Sequence, residues 1–366
     1  MTRDWPDLAA QALRAPQRLA SLAAWQWEPV IRQARRADVL GRIAAMLQAQ
    51  GLLAGIPAGP REHLQSALAV VQAQQVQLKR EVQHLLAALD ALGVTLVLLK
   101  GAAYVLADEP AASGRICADI DILVPRAALP EVEGALMLAG WMGTHHDAYD
   151  QRYYREWMHE LPPLQHVIRM TTLDVHHNIL PLTVRRPPDA ALLLAGARPL
   201  SGYPGASVLA SADIVLHSMT HLFHNDELSH GLRDLSDLDL LLRRYGADPL
   251  FWPHLLARAQ TLHLERALYH GLWATAQALG TPVPANLWTE VESSAAPAWP
   301  QRSLMQALWR RGLTTPDPAT QPKWSGAARF MLYVRAHWLR MPPGLLARHL
   351  ARKAWKRLTT GSPAAG

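Results

Sequence analysis

Apolar and polar positions change period several times along the chain. Residues 1–56 carry helix-like apolar spacing interrupted by Pro6, Pro16 and Pro29, which predicts two or three short helices. From Arg61 to Leu92 the chain has neither Pro nor Gly and is rich in Ala, Leu and Gln, the pattern of one long helix stopped at Gly93. Val94 to Leu99 is a short Val/Leu run closed by Lys100-Gly101 and followed by Ala102-Ala103-Tyr104-Val105, a buried strand turning into a helix. Asp119 to Val124 alternates acid and aliphatic residues and predicts a second strand, and Leu129 to Ala139, closed by Gly140, predicts a helix. His166 to Met170 and Leu173 to Val175 read as a hairpin with Thr171-Thr172 near its turn.

Trp141 to Pro163 has no clear period and holds His145, His146, Asp147, Tyr149, Tyr153, Tyr154 and Trp157. Two readings stand: a loop whose aromatics stack on a base or close a pocket, and a surface excursion anchored by buried rings. Pro181 to Pro204 reads as a connector. Beyond it helices are expected at Ser211–His224, with a Ser cap, and at Leu228–Tyr245, Trp252–Leu262 and Leu264–Leu279. Pro282-Val283-Pro284 and Pro316-Asp317-Pro318 divide the remainder into further helices, and Gly361 to Gly366 is expected to be disordered. The expected class is α/β in the α+β sense, a small mixed sheet with helices. Its parts are an N-terminal helical segment (1–60), a core (61–205) and a large C-terminal helical domain (206–360).

A chain of 366 residues can bury more than one core. No stretch approaches the roughly 18–20 apolar residues of a membrane span, and the N-terminus lacks a secretory apolar run, so the expected location is cytoplasmic. The single cysteine, Cys117, excludes an internal disulfide and a cysteine-based zinc cluster. It reads as a small buried filler in preference to a nucleophile. The formal charge of +6 is concentrated near the ends, at Arg32, Arg35 and Arg36 and at Arg335, Arg340, Arg348, Arg352, Lys353, Lys356 and Arg357. Between Gly326 and Leu358, Phe330, Tyr333, Trp338, Leu345, Leu346, Leu350 and Trp355 lie among these cations. That suits an interfacial helix peripheral to the inner membrane. A helix packed on the protein with a solvated basic face is the preferred alternative.

Asp119 and Asp121 share one face of a strand with Ile120 on the other, and adjacent like charges are commonly relieved by Mg²⁺ or Mn²⁺. If the strand of Asp174 lies alongside, a third carboxylate joins them, enough for two ions able to stabilise attacking and leaving oxygens. Gly101 removes a side chain where helix N–H groups face an anion. His176 lies on Asp174's strand face and is a substrate-facing or supporting candidate, while His177 points away. His217, His221 and His224 share a helix face. They form a metal site, a row facing a nucleotide, or, as preferred, hydrogen-bonded residues between domains with Asp234, Asp237 and Asp239 as partners. Ser218 stands where a zinc protease needs Glu, so that class is rejected.

A glycine strand-to-helix turn, then Asp-x-Asp, then a later third acid resembles the superfamily of DNA polymerase beta and the kanamycin nucleotidyltransferases. The ordered set Leu99-Lys100-Gly101, Tyr104, Arg115, Asp119-Ile120-Asp121-Ile122-Leu123-Val124 and Asp174-Val175-His176 is closer still to the bacterial uncharacterised nucleotidyltransferase family, over roughly residues 60–245. The resemblance implies that residues 61–205 are a catalytic core moving an NMP from an NTP to a hydroxyl or similar acceptor. Asp119, Asp121 and Asp174 would hold Mg²⁺ (or Mn²⁺), and Asp174 would position or deprotonate the acceptor. Lys100, Gly101, Ala102 and Arg115 would border the triphosphate, and Tyr104, His176, His217 and His221 would support the site or touch substrate. The superfamily turn usually has Ser or Gly where this chain has Ala102, which leaves open a silent core that docks on a membrane or protein partner through its basic tail. A peptide, sugar or small-molecule acceptor is the expectation. Nucleic acid is disfavoured, because the basic residues are not interleaved with aromatics.

Overall fold

The computed structural model describes residues 5–144, 151, 153–341 and 344. Its centre is a mixed seven-stranded sheet in the order β3-β4-β5-β2-β1-β7-β6. The strands are β1 (Leu96–Leu99), β2 (Asp119–Leu123), β3 (Trp141–Gly143), β4 (Leu164–His166), β5 (Thr172–His176), β6 (Arg198–Pro199) and β7 (Ala206–Val208). The four residues of β1 are all buried, as expected of a central strand with both faces covered. β2 lies antiparallel to β1 and parallel to β5. The α+β class expected from the sequence is therefore observed.

The long helix runs Ala58–Leu89, and a tight turn to Leu92 ends at Gly93 in the left-handed region. Its buried positions Leu64, Val71, Leu78, Val82, Leu85 and Leu89 recur every three, four or seven residues and form one stripe. That stripe lies against the helices Leu40–Ala49, Lys100–Leu106 and Leu129–Leu138. On the C-terminal side, Ser211–His224 is buried nearly all round and is packed by Gly231–Tyr245, Phe251–Thr261 and Glu265–Leu279. One contiguous hydrophobic cluster runs from Trp5 to Leu332.

Several local expectations are corrected. The hairpin turn falls at residues 167–170, with Met170 at φ 58° and Thr172 already in β5. There His166 Nδ1 accepts from the N–H groups of Ile168 and Arg169, doing for this turn what an Asn or Asp side chain usually does. Ser211 makes no cap: the N-cap is Ala210, without a side-chain hydrogen bond. The connector 181–204 holds the helix Ala190–Ala195, capped by the Asp189 carboxylate, and strand β6. The aromatic 141–163 segment opens with β3, paired antiparallel to β4. His145, His146, Asp147 and Tyr149 lie outside the described residues.

Cations near the ends turn inward. Arg32 pairs with Glu28 and Asp317, Arg36 donates to the Pro316 carbonyl, Arg335 donates to the Phe223 carbonyl, and Arg340 donates to the His224 carbonyl. On the helix Ser325–Arg340 the solvent instead meets Phe330, Val334 and Trp338. Of the terminal run, residues 342–343 and 345–366, with Leu345, Leu346, Arg348, Leu350, Arg352, Lys353, Trp355, Lys356, Arg357 and the tail from Gly361, lie outside the described residues. No described helix is long and apolar enough to cross a membrane.

Gly114 sits at φ +65°, and a Cβ there would lie 2.3 Å from the Gly41 carbonyl oxygen and 2.4 Å from Arg42 Cα. Both obstacles are backbone and cannot swing aside. Gly114→Ala is therefore expected to destabilise by about 2–4 kcal/mol, from overpacking plus left-handed strain, read as a lower urea midpoint with unchanged m. An unchanged midpoint would show that the contact is not tight.

Candidate active site

The register puts the predicted acids on neighbouring strands. β2 pairs with β5 so that Asp121 lies opposite Asp174 and Asp119 opposite Thr172. Alternation along each strand then puts Asp119, Asp121, Asp174 and His176 on one face. β1 pairs Leu99 with Asp121, which sets the next residue, Lys100, over the same ground. Lys100 Nζ lies 2.6 Å from Asp121 Oδ1, and His176 Nε2 lies 3.0 Å from the same oxygen. On its other side His176 Nδ1 is 3.2 Å from Glu160 Oε2. Glu160 was not singled out in the sequence. It reaches the site because residues 159–161 add to the end of β5: the Leu161 N–H donates to the Val175 carbonyl and the His177 N–H to the His159 carbonyl.

Burial alone would raise the Asp121 carboxyl, but Lys100 and His176 hold it well below the usual range. Lys100 is likewise held above the ordinary lysine value despite burial, by Asp121 and Asp119. The carboxyl of Asp119, at the exposed start of β2, is raised chiefly by the neighbouring Asp121 charge. Burial, then Asp121 and Glu160, push Asp174 up to about 7, and its buried Oδ1 has no hydrogen-bond partner. His176 is raised: burial opposes its charge, but the Asp121 hydrogen bond and Glu160 outweigh it.

The turn itself is strained at Lys100, with φ +44°, an uncommon conformation for a residue with a side chain. Beside Gly101, the space a Cβ would fill is taken by Arg115 Nη1 at 2.5 Å and Cys117 Sγ at 2.7 Å. Ala102 is buried within the helix that follows. Arg115, beside the turn through Nη1, also pairs with Asp237, its Nε 2.8 Å from Asp237 Oδ2 and its guanidinium 5.6 Å from the Tyr104 ring centroid. The Tyr104 hydroxyl bonds Ser218, and burial followed by the Asp237 charge raises its pKa. Burial also raises the Cys117 thiol, which suits a filler and opposes a nucleophile at neutral pH. A cavity of about 160 Å³ borders Asp119, Cys117, Glu81 and Arg169, smaller than the roughly 300–1,000 Å³ of a typical ligand pocket.

The histidine row is split. Burial, then Lys100, depresses His217 to about 3 and His221 well below its usual value, which places both near Lys100. His224 turns away and contacts the Thr220 carbonyl. Of the three expected acid partners only Asp234 reaches the row, 3.8 Å from His221 Nδ1. Asp237 serves Arg42 and Arg115, and Asp239 serves Arg243 and Thr281, because guanidinium and hydroxyl groups stand nearer.

A divalent cation fits the chemistry of the donor set. Asp119, Asp121 and Asp174 offer hard oxygen ligands on one face, and the orphaned Asp174 Oδ1 lacks a partner. The aspartates do not, however, bring one oxygen each within 4.8 Å of one another; among the described residues that closeness belongs to His159, Glu160 and His176.

A Lys-Gly strand-to-helix turn, an Asp-x-Asp strand and a third acid on the strand beside it, within an α+β sheet, describe a nucleotidyltransferase core. The chain belongs to the uncharacterised nucleotidyltransferase family, whose model matches residues 23–280, wider at both ends than the 60–245 resemblance. Membership supports a general nucleotidyl-transfer activity with an NTP as the implied substrate. No curated protein matches the chain.

Buried histidines give the molecule a pH signature. The pKa values of His159, His177, His217, His221, His224 and His270 are lowered in the folded state by burial first, to about 4 at His177 and about 3 at His217 and His224. Between the unfolded value near 6.5 and those folded values the unfolded chain binds more protons, so stability falls as pH falls. Each such histidine contributes a slope of up to about 1.4 kcal/mol per pH unit. His176 and His230, whose pKa values are raised, and Asp174, pushed up to about 7, act in the opposite sense over this range but are fewer. The urea midpoint is expected to drop clearly from pH 7 to pH 5; a flat profile would mean that the histidines are solvated.

Proposed function

We propose that the protein transfers a nucleoside monophosphate from an NTP to a hydroxyl or similar group on a peptide, sugar or small molecule, releasing pyrophosphate. The observation that carries this reading is the β2–β5 register, which sets Asp174 opposite Asp121 with one Asp174 oxygen buried and unpartnered. Asp119, Asp121 and Asp174 would hold Mg²⁺ (or Mn²⁺), which when bound supplies charge neutralisation at the reacting phosphates. Lys100 adds a cation beside Asp121 and would face the developing negative charge. Asp174 would orient the acceptor hydroxyl or take its proton as the acceptor oxygen bonds to the α-phosphorus and the bond to the β-phosphate bridge breaks. His176 holds Asp121 in place through its Nε2.

The test is pyrophosphate release with Mg²⁺ or Mn²⁺, each NTP in turn and a panel of hydroxyl acceptors. Release that Asp119→Ala removes supports the reading. One observation favours a silent core instead: Lys100 already neutralises Asp121, with Ala102 at the phosphate turn. Under that reading all NTPs stay intact and the protein binds a partner equally well with and without Asp119.

A further inference from the structure

His176, on the carboxylate face, also belongs to a second group of ligand atoms with a different chemistry. One atom each from His159, Glu160 and His176 lie within 4.8 Å of one another. His176 Nδ1 and Glu160 Oε2 are 3.2 Å apart. That separation suits a hydrogen bond, and it equally suits the edge of a tetrahedron whose metal–ligand bonds are about 2.0–2.1 Å. A hydrogen bond accounts for these two residues but leaves the third unexplained: His159 Nδ1 is buried and has no partner. A ring nitrogen so placed carries a desolvation cost without return unless something occupies it. The rings of His159 and His176 stand 5.3 Å apart, tilted by 31°, as two imidazoles side by side.

The group is built on paired backbone. Glu160 and His176 face each other across an antiparallel bridge, and the His159 carbonyl accepts from the N–H groups of His177 and Asn178. Such a frame holds ligands in place without the entropy cost of ordering a loop. The far nitrogen of His176, Nε2, lies 3.0 Å from Asp121 Oδ1. A metal-bound histidine commonly gives its other ring N–H to a carboxylate, which fixes the tautomer and strengthens the ligand.

We propose that His159, Glu160 and His176 form a two-histidine, one-carboxylate site for a borderline transition-metal dication such as Zn²⁺, with a ligand set distinct from the oxygen-only trio Asp119, Asp121 and Asp174. Nitrogen donors select this class of ion over Mg²⁺. Three protein ligands leave a coordination position open, the hallmark of a reactive site in place of a closed structural one. Through His176 the ion would fix Asp121, coupling the two sites. Nothing here depends on nucleotidyl transfer.

The test uses the full chain, stripped with chelator and without nucleotide. Zn²⁺ affinity is measured by competition with a chromophoric chelator, and Co²⁺ loading by visible absorption. One equivalent is expected, with a tetrahedral Co²⁺ spectrum. His159→Ala and Glu160→Gln should each weaken binding by at least about tenfold, while Asp174→Asn leaves it within about twofold. Absence of a stoichiometric ion, binding indifferent to both ligand variants, or binding lost equally in Asp174→Asn would overturn the site. Should either ligand variant fail to fold, X-ray absorption on the Zn²⁺-loaded wild type decides: two imidazole nitrogens support it, an all-oxygen shell rejects it. Silence in the pyrophosphate assay would leave these outcomes unaffected.

Discussion

Asp237→Asn is expected to cost about 3–5 kcal/mol of folding stability, the cost of breaking a buried ion pair from one side. Arg42 Nη2 lies 2.7 Å from Asp237 Oδ1 and Arg115 Nε 2.8 Å from Oδ2, and all three side chains are no more than 6% exposed. Each guanidinium comes from a different part of the chain: Arg42 from an N-terminal helix, Arg115 from the segment before β2. One carboxylate therefore ties both to the helix Gly231–Tyr245. Arg42 also donates to the Ser113 carbonyl and to Ser236. Removing the negative charge leaves two buried cations facing each other, which no local rearrangement solvates. A urea midpoint shifted by less than the equivalent of about 1 kcal/mol would mean that water reaches the network.

The second large effect concerns Asp121. Asp121→Asn is expected to lower nucleotidyl transfer by at least about 10²–10³-fold, the scale of losing one transition-state charge contact. It is also expected to destabilise the fold, since Lys100 and His176 lose the shared negative charge of a carboxylate only 2% exposed. The two consequences separate in a double variant. Lys100→Met with Asp121→Asn removes both ends of the ion pair and should recover most of the lost stability while activity stays absent. Asp119→Asn, at the exposed end of the strand, should lose activity at nearly unchanged melting temperature. Activity that returns with stability in the double variant would show Asp121 to be structural.

The class of fold and the identity of the site strands were readable from periodicity. A run of aliphatics closed by Lys100-Gly101 could hardly be other than a buried strand entering a helix, and Asp119-Ile120-Asp121 could place its acids only on one face. The turn at 167–170 was misplaced because its cap is a histidine, whereas turn rules read Asn, Asp, Gly and Pro. Ser211 looked like a cap because Ser usually is one, yet Ala210 holds that position and the helix is stabilised by burial on nearly every side.

The sequence by itself determined the residue types of the carboxylate site, their order and the faces they take along each strand, because side-chain alternation is a local property of an extended chain. Only the tertiary structure decided who meets whom. Strand neighbours are chosen by sheet pairing over long separations, and that choice set Asp174 beside Asp121 and carried Glu160 and His159 to His176. It also gave Asp237 to Arg42 and Arg115 and kept it from the histidine row. A buried charge settles on the opposite charge that packing brings nearest, and nearness across the fold is written in no local pattern.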